Sequence, residues 1–243
     1  MSDTIIRIGK EDAWPMYSSL WDFYKVKGKN TVFFSVGSGL SALAEADLLE
    51  TLGCSVHIWD PRPENHLKWK EVIEILTTRK RPDSATPFSK GIDEKWILPK
   101  RICLHPELPA SFTGSGLFQG SSCSFQDLTS CVDEVCKTMD VPPRIDLLKI
   151  QLSGAEREIL FTLLNSPYRP GLILVEWSIM PDADLLTTCC AGHLTQCGYV
   201  LIGKEGSHFL YLYKGDSAYE ICSWEQTKYD NPLTAEIYLS KTE

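Results

Sequence analysis

Several features that define broad classes of protein are missing from this sequence. No run of about 18 apolar residues is present, which excludes a membrane-spanning helix. The first residues carry no basic patch followed by an apolar stretch, so we expect no signal peptide and a cytoplasmic location. Internal repeats, low-complexity tracts and linker-like segments are also missing, and we therefore expect one domain.

The nine cysteines lack the spacing of a metal or disulfide framework. No C-x-x-C pair occurs, and no histidines stand at zinc-finger distance from the cysteines. We therefore expect reduced, buried thiols, with a metal or disulfide framework as the alternative.

An excess of basic residues is missing too. The 243 residues contain 32 acids against 24 bases, for a net charge of −8. Because phosphate binding needs a concentrated basic face, this balance argues against a nucleic-acid partner. Hydrophobic residues make up 43% of the chain, which is enough for a full core. A small-molecule enzyme remains compatible with all of these numbers.

The order of elements begins with a βαβ unit. Thr31–Val36 and Cys54–Trp59 are apolar runs rich in β-branched and aromatic residues, typical of strands buried on both faces. Between them, a glycine turn leads into Leu40–Leu52, which consists largely of helix-forming residues. Such a crossover makes the two strands parallel.

The second half continues the alternation of strands and helices. Arg144–Gln151 and Leu172–Ser178 are predicted strands, and Tyr199–Gly203 with His208–Lys214 is a predicted hairpin. We therefore expect an α/β fold: a doubly wound, mostly parallel sheet that ends in an antiparallel hairpin.

Connecting segments are predicted as well. Pro106–Ser122 is glycine-rich and is expected to be a loop over a binding site, followed by an amphipathic helix at Ser124–Lys137. Ser153 and Glu156 match a capping box for a helix over residues 154–164. Pro181–Cys197 is predicted to be helical. Around the domain at residues 31–214, we expect a helical lead-in at residues 1–30 and a packed extension at residues 215–243.

Two features at strand ends predict a nucleoside cofactor. Gly37 and Gly39 end the first strand, where a missing Cβ lets the backbone turn and a ligand approach closely. Asp60 ends the second strand, where a carboxylate can accept hydrogen bonds from both hydroxyls of a ribose. A dinucleotide site would place a third glycine where Ala42 stands and basic residues nearby. S-adenosylmethionine, which has no phosphate, is therefore favoured over NAD.

Residues 144–160, RIDLLKIQLSGAEREIL, resemble the signature of the FkbM-type S-adenosylmethionine-dependent methyltransferases. Weaker marks follow the family's order along residues 31–214: the loop Val36-Gly37-Ser38-Gly39, the segment Asp60-Pro61-Arg62-Pro63, the segment Ser124–Leu128, the strand end Leu174–Trp177 and the pair Gly198-Tyr199.

This resemblance implies a Rossmann-like, seven-stranded class I methyltransferase fold and methyl transfer to a hydroxyl group, often of a sugar. It also implies that Ser35, Ser38 and Pro61 belong to the cofactor site. In the family, acids stand where this chain has Gln151 and Ser153, and Ser35 likewise replaces an acid. Glutamine can orient the methionine end of the cofactor but cannot act as a general base.

Two other residues are candidates for the catalytic base. Glu176 ends a strand, where it can accept a proton or bind a metal, and His105 lies in the glycine-rich loop. The leading hypothesis is thus an S-adenosylmethionine-dependent O-methyltransferase acting on a glycan or another small molecule. Alternatives are a catalytically silent scaffold with the same fold and, third, an NAD-dependent oxidoreductase. We predict no metal ligands, and the need for a divalent metal and the oligomeric state stay open.

Overall fold

A seven-stranded sheet forms the centre of the computed structural model, which describes residues 4–8, 14–39, 41–92 and 101–214. The strands in chain order are β1 Ile5–Ile8, β2 Trp14–Tyr17, β3 Val32–Val36, β4 Ser55–Trp59, β5 Ile102–His105, β6 Glu107–Ala110, β7 Gly114–Phe118, β8 Ser121–Asp127, β9 Leu147–Ile150, β10 Leu172–Glu176, β11 Tyr199–Glu205 and β12 His208–Tyr213. The α-helices are α1 Ser18–Lys27, α2 Leu43–Leu52, α3 Pro63–Thr78, α4 Leu128–Met139, α5 Glu156–Asn165 and α6 Leu185–Gln196.

The strand order of this sheet is β11-β12-β10-β9-β3-β4-β5. Strand β12 runs antiparallel to both neighbours, and the other neighbouring strands are parallel. The order reverses between β3 and β9, because the chain first builds outward through β4 and β5 and then returns to the other side of β3. The predicted Rossmann-like class I methyltransferase fold, with its antiparallel terminal hairpin, is confirmed.

Two hydrophobic clusters cover the two faces of the sheet. Successive strand side chains point to opposite faces, so Phe33 belongs to one cluster and Phe34 to the other. The first cluster contains most of the buried apolar side chains of α1, α2 and α3, and the second contains those of α4, α5 and α6. Both faces are therefore closed, which explains the uninterrupted apolar runs of the central strands. Within the described ranges, no helix is long and apolar enough to cross a membrane.

The amino-terminal segment differs from the predicted helical lead-in. Strands β1 and β2 form an antiparallel pair, and only α1 is helical. Pro15 cannot donate the backbone hydrogen bond that a helix interior requires, whereas an edge strand tolerates proline. A short two-stranded sheet is therefore favoured over a helix at this position. Trp14 stacks on His208 with ring centroids 4.3 Å apart, so β2 packs against β12. The predicted extension at residues 215–243, like the first part of a predicted strand at residues 96–104, lies outside the described residues.

The predicted loop at Pro106–Ser122 is wrong, because the segment contributes to a three-stranded sheet in the order β6-β8-β7. Strands β7 and β8 are joined by Gln119 and Gly120 alone, both with positive φ, of +50° and +80°. That conformation is the two-residue turn whose twist matches a hairpin. The following helix starts at Leu128 rather than Ser124, since the Asp127 carboxylate accepts a hydrogen bond from Ser130 N at 3.1 Å.

Candidate functional site

A hollow of about 260 Å³ opens at the carboxyl edge of the sheet, beside the point where the strand order reverses. Its lining consists of Gly39, Arg62, Gln151, Ser153, Glu156, Glu176 and Ser178. These residues follow or end strands β3, β4, β9 and β10, or begin α5. Parallel strands place their carboxyl ends at one edge, which is why residues distant in sequence meet here.

The glycine turn after β3 packs directly against Gln151. Gly37 and Gly39 have φ values of +86° and +62°, a region that side-chain-bearing residues rarely adopt. A Cβ at Gly37 would overlap the carbonyl of Gln151, and one at Gly39 would overlap its side-chain amide. The glycines are therefore required by the protein's own packing, and the Gln151 side chain fills the space above Gly39.

The Asp60 carboxylate is only 1% exposed and is saturated by protein donors. Oδ1 accepts hydrogen bonds from the Arg62 backbone N at 3.0 Å and from its Nε at 2.9 Å. Oδ2 accepts from Arg62 Nη2 at 2.8 Å and Asn65 Nδ2 at 2.8 Å. Ser38 adds its backbone N at 3.1 Å and its Oγ at 3.0 Å. The glycine turn and the strand-end acid thus meet as expected, but Asp60 does not line the hollow.

These contacts set the ionisation of Asp60. Burial alone would raise its pKa, but the hydrogen bonds and charge of Arg62, helped by Asn65, outweigh burial and hold the pKa below its ordinary value. Asp60 is therefore a carboxylate at neutral pH.

A fully buried ion pair supports the floor of the site. Lys149 Nζ lies 2.8 Å from Glu45 Oε1, and neither side chain has exposed surface. The same ammonium donates to Gln151 Oε1, which fixes the amide over the glycine turn. Lys149 therefore pairs with a carboxylate beneath the site. Ser35 is also fully buried and donates to Glu45 Oε1 at 2.8 Å, so it does not reach the hollow.

Glu176 is the half-buried carboxylate on the wall of the hollow. His208 Nε2 lies 3.7 Å from its Oε1. The His208 imidazole holds the pKa of Glu176 below its ordinary value, and the Gln151 amide and the Lys149 charge act in the same direction against burial. Glu176 is thus an ionised hydrogen-bond acceptor at neutral pH.

Glu156 ties together the two loops that border the hollow. Its carboxylate accepts from Gly154 N at 2.9 Å and from Ser178 N at 3.0 Å. The predicted capping box is wrong, because α5 begins at Glu156 itself rather than after Ser153. Glu156 instead bridges to the loop after β10, a contact across 22 residues that local spacing does not reveal.

His105 lies elsewhere. Its ring stacks on Trp59 with centroids 4.3 Å apart, and its Nε2 lies 3.1 Å from His57 Nδ1. It lines a separate cavity of about 520 Å³ with Glu107 and Glu134, among others. Burial lowers the pKa of His105. The structure therefore brings Glu176, but not His105, to the hollow; strand register sets this, because β5 pairs His105 with Trp59.

Arg62 is the site residue that sequence reasoning missed. Its neighbours Asp60 and Pro61 were singled out, and Pro61 is half-buried in the same loop. The available signal was an arginine two positions after a strand-end acid, a spacing from which the guanidinium can fold back onto the carboxylate.

In this conformation the residues do not fit S-adenosylmethionine. The hollow is smaller than the roughly 300–1,000 Å³ of ordinary ligand pockets. The acid expected to accept the ribose hydroxyls has both oxygens occupied, and Gln151 fills the cradle above the glycines. Among the residues that the structure describes, no group of three or more His, Cys, Asp or Glu side chains is arranged to hold a metal ion.

Comparisons with known proteins concern the fold alone. No protein-family model matches the sequence, and no curated protein matches it significantly, so the FkbM resemblance rests on the residues quoted above. The fibrillarin pre-rRNA processing protein of Methanococcus jannaschii is similar in structure, with a TM-score of 0.40 and 12% identity over 88% of this chain and 84% of that chain. A precorrin-6y C5,15-methyltransferase of Geobacter metallireducens gives 0.39 and 13%, over 82% of this chain and 89% of that chain.

Proposed function

We propose that this chain is an S-adenosylmethionine-dependent methyltransferase that acts on a hydroxyl group. The observation that carries the proposal is the hollow at the β3–β9 reversal of a class I methyltransferase sheet. Doubly wound sheets bind their ligands outside the carboxyl ends of the strands at such a reversal. The FkbM resemblance of residues 144–160 supports the same class and favours a carbohydrate over other small hydroxyl compounds as the acceptor.

The proposal assigns roles to residues of this chain. Gly37, Ser38 and Gly39 would contact the cofactor from the turn after β3, and Asp60 and Pro61 from the adjoining loop after β4. Gln151, held by Lys149, would orient rather than deprotonate, since an amide has no basic oxygen. Ser35 is also a proposed cofactor contact. Its hydroxyl would have to leave Glu45 and reach the hollow to make that contact.

Glu176 is the proposed proton acceptor. It is the ionised carboxylate on the wall of the hollow that no protein hydrogen bond saturates in the way that Asp60 and Glu156 are saturated. Its lowered pKa makes it a weak base, so its larger contribution would be to align the acceptor oxygen. His105 would serve only if the acceptor reached across to the neighbouring cavity.

A catalytically silent binding protein is the second candidate. The covered Asp60 and the amide at position 151 favour it, because neither the ribose acceptor nor the family's acid is available in this conformation. For either candidate, we propose a cytoplasmic protein with a small-molecule or glycan ligand, and no nucleic-acid or membrane partner, in keeping with its net charge of −8.

Calorimetry and a transfer assay separate these candidates. We expect S-adenosylhomocysteine to bind the full chain at one saturable site, and labelled S-adenosylmethionine to methylate at least one member of a glycan and small-alcohol panel. Binding without any product supports the silent protein. Absence of binding at high cofactor concentration contradicts the methyltransferase.

Glu176→Gln tests the role of the carboxylate. Turnover should fall about 100-fold, because the variant loses both the alignment of the acceptor oxygen and the acceptance of its proton, while S-adenosylhomocysteine affinity stays unchanged. The matched control is Glu158→Gln, an exposed acid on α5 that does not line the hollow. Equal turnover in both variants would remove Glu176 from the proposal.

A further inference from the structure

We propose that the Arg62 guanidinium competes with the ribose of the cofactor for the Asp60 carboxylate. The guanidinium occupies the donor positions on Asp60 that two ribose hydroxyls would take, so the cofactor binds only after Arg62 swings away. This inference rests on the proposed function, and it accounts for the misfit between the cofactor and the present conformation.

The geometry of the contact is that of a two-pronged donor. Arg62 Nε reaches Asp60 Oδ1 at 2.9 Å, and Nη2 reaches Oδ2 at 2.8 Å. A ribose diol also presents two donors to the two oxygens of one carboxylate. The planar guanidinium matches a carboxylate bidentately, which a lysine ammonium cannot do. Arg62 and the ribose therefore compete for the same two oxygens.

The acid stays in place when the guanidinium leaves. Asp60 keeps the hydrogen bonds from Ser38 and Asn65, and the Arg62 backbone N remains on Oδ1. Trp69 Nε1 donates to Ser38 Oγ at 3.1 Å and fixes that hydroxyl in turn. The carboxylate is thus held by the protein frame, and release of the guanidinium removes one donor from each oxygen.

The surroundings of the Arg62 side chain leave space for it to move away from Asp60. Its side chain is 28% exposed and lines the hollow, whereas Asp60 is almost completely buried. Glu64 lies close enough for its charge to act on the guanidinium, which gives Arg62 a second anionic neighbour outside the Asp60 pair. Release of Arg62 would enlarge the hollow and expose the carboxylate in one movement.

The consequence is a lowered apparent affinity, because binding draws on the fraction of molecules in which Asp60 is uncovered. Arg62→Ala should therefore bind S-adenosylhomocysteine about tenfold more tightly than the wild type. Arg62→Lys should lie between them, since a single point charge covers the two oxygens incompletely.

Isothermal titration calorimetry of the full chain with S-adenosylhomocysteine tests this ranking. Arg157→Ala is the matched control, because Arg157 is 27% exposed and pairs with Asp184 at 3.1 Å rather than with Asp60. The affinity of this variant for S-adenosylhomocysteine should equal that of the wild type. A thermal melt of each variant verifies folding, and Arg62→Lys keeps the test valid if Arg62→Ala is unstable. Arg62→Ala should likewise bind adenosine more tightly than the wild type does, and this gain should disappear with 2′,3′-dideoxyadenosine, which lacks the diol.

The outcomes separate this inference from the proposed function. Tighter binding by Arg62→Ala, with the control unchanged, supports the competitor. Equal or weaker binding by both Arg62 variants, alongside binding by the wild type, overturns the competitor and leaves the methyltransferase proposal standing. Absence of binding by every protein, the Arg62 variants included, overturns both.

Discussion

Two buried aspartates stand at opposite ends of the central sheet, and their surroundings are chemically alike. Asp146, before β9, accepts from Val32 N at 2.8 Å and pairs with Lys27 at 2.5 Å and Arg144 at 3.1 Å. Asp60, after β4, is saturated by backbone and side-chain donors in the same way. Both carboxylates have at most 1% of their surface exposed.

The connections of the two acids differ. Lys27 and Val32 lie 119 and 114 residues from Asp146 in sequence, so that carboxylate joins α1, β3 and β9. The cation on Asp60 comes from two residues away in the same loop. Long-range pairs close large loops and hold the fold together, whereas a local pair can open without unfolding anything. The same chemistry therefore stabilises the fold at one end and covers a candidate binding site at the other.

The largest expected loss of stability comes from a third buried charged group, Lys149, which pairs with Glu45. Lys149→Met would leave Glu45 buried without its cation, and we expect unfolding to become easier by about 3–5 kcal/mol. Urea denaturation measures the loss. The double variant Lys149→Met with Glu45→Gln removes both charges and should recover about half of it. A double variant as unstable as the single one would show that packing, not unpaired charge, sets the cost.

The two aspartates themselves are the direct comparison. Asp146→Asn should destabilise the protein by about 3 kcal/mol, because two cations and a buried N–H lose their charged partner. Asp60→Asn should cost no more than about half as much, since its charged partner is local and partly exposed. Chemical denaturation of both variants under one condition gives the difference. Equal losses would mean that sequence separation does not distinguish the two sites.

The pH dependence of stability separates His57 from Asp60. Burial, with the charge of His105 second, lowers the pKa of His57 to about 4, while the unfolded imidazole titrates at 6.5. Between about pH 4 and pH 6.5 the imidazole of His57 is protonated in the unfolded state and neutral in the folded state. Stability is therefore complete above about pH 6.5 and falls by about 3 kcal/mol as the pH drops to 4.

Denaturation curves of wild type and His57→Gln across this range check the assignment. The variant should show a clearly shallower slope, although it is less stable overall. Asp60, whose pKa is held below its ordinary value, stays ionised through the same range and contributes stability that is lost only at lower pH. An unchanged slope would assign the proton uptake to other groups.

Much of the fold could be predicted from the sequence, for identifiable reasons. Strands β3, β4, β9 and β10 are buried on both faces, so their composition alone marks them. Segments whose structure depends on tertiary packing could not be predicted. Strand β2 is stabilised by Trp14 against His208, nearly 200 residues away. In the β7–β8 hairpin, β7 contains two glycines and β8 three serines, which is the composition of a loop.

The site was predictable only in outline. The sequence placed Gly37, Gly39, Asp60 and Gln151 at strand ends, and the fold brings strand ends together. The position of these residues in the sequence does not indicate which hydrogen-bond partner each side chain has in the folded protein. Asp60 binds Arg62, and Ser35 faces Glu45, because side-chain rotamers and helix packing decide those contacts. His105 is at a strand end as well, but its ring stacks on Trp59 and lies away from the hollow.

A crystal structure of Arg62→Ala grown with S-adenosylhomocysteine tests the central claim most directly. We predict density for the nucleoside in the hollow beside Gly39, with both ribose hydroxyls within hydrogen-bond distance of the Asp60 carboxylate. Density elsewhere on the protein, or an empty hollow at saturating cofactor concentration, would contradict the account.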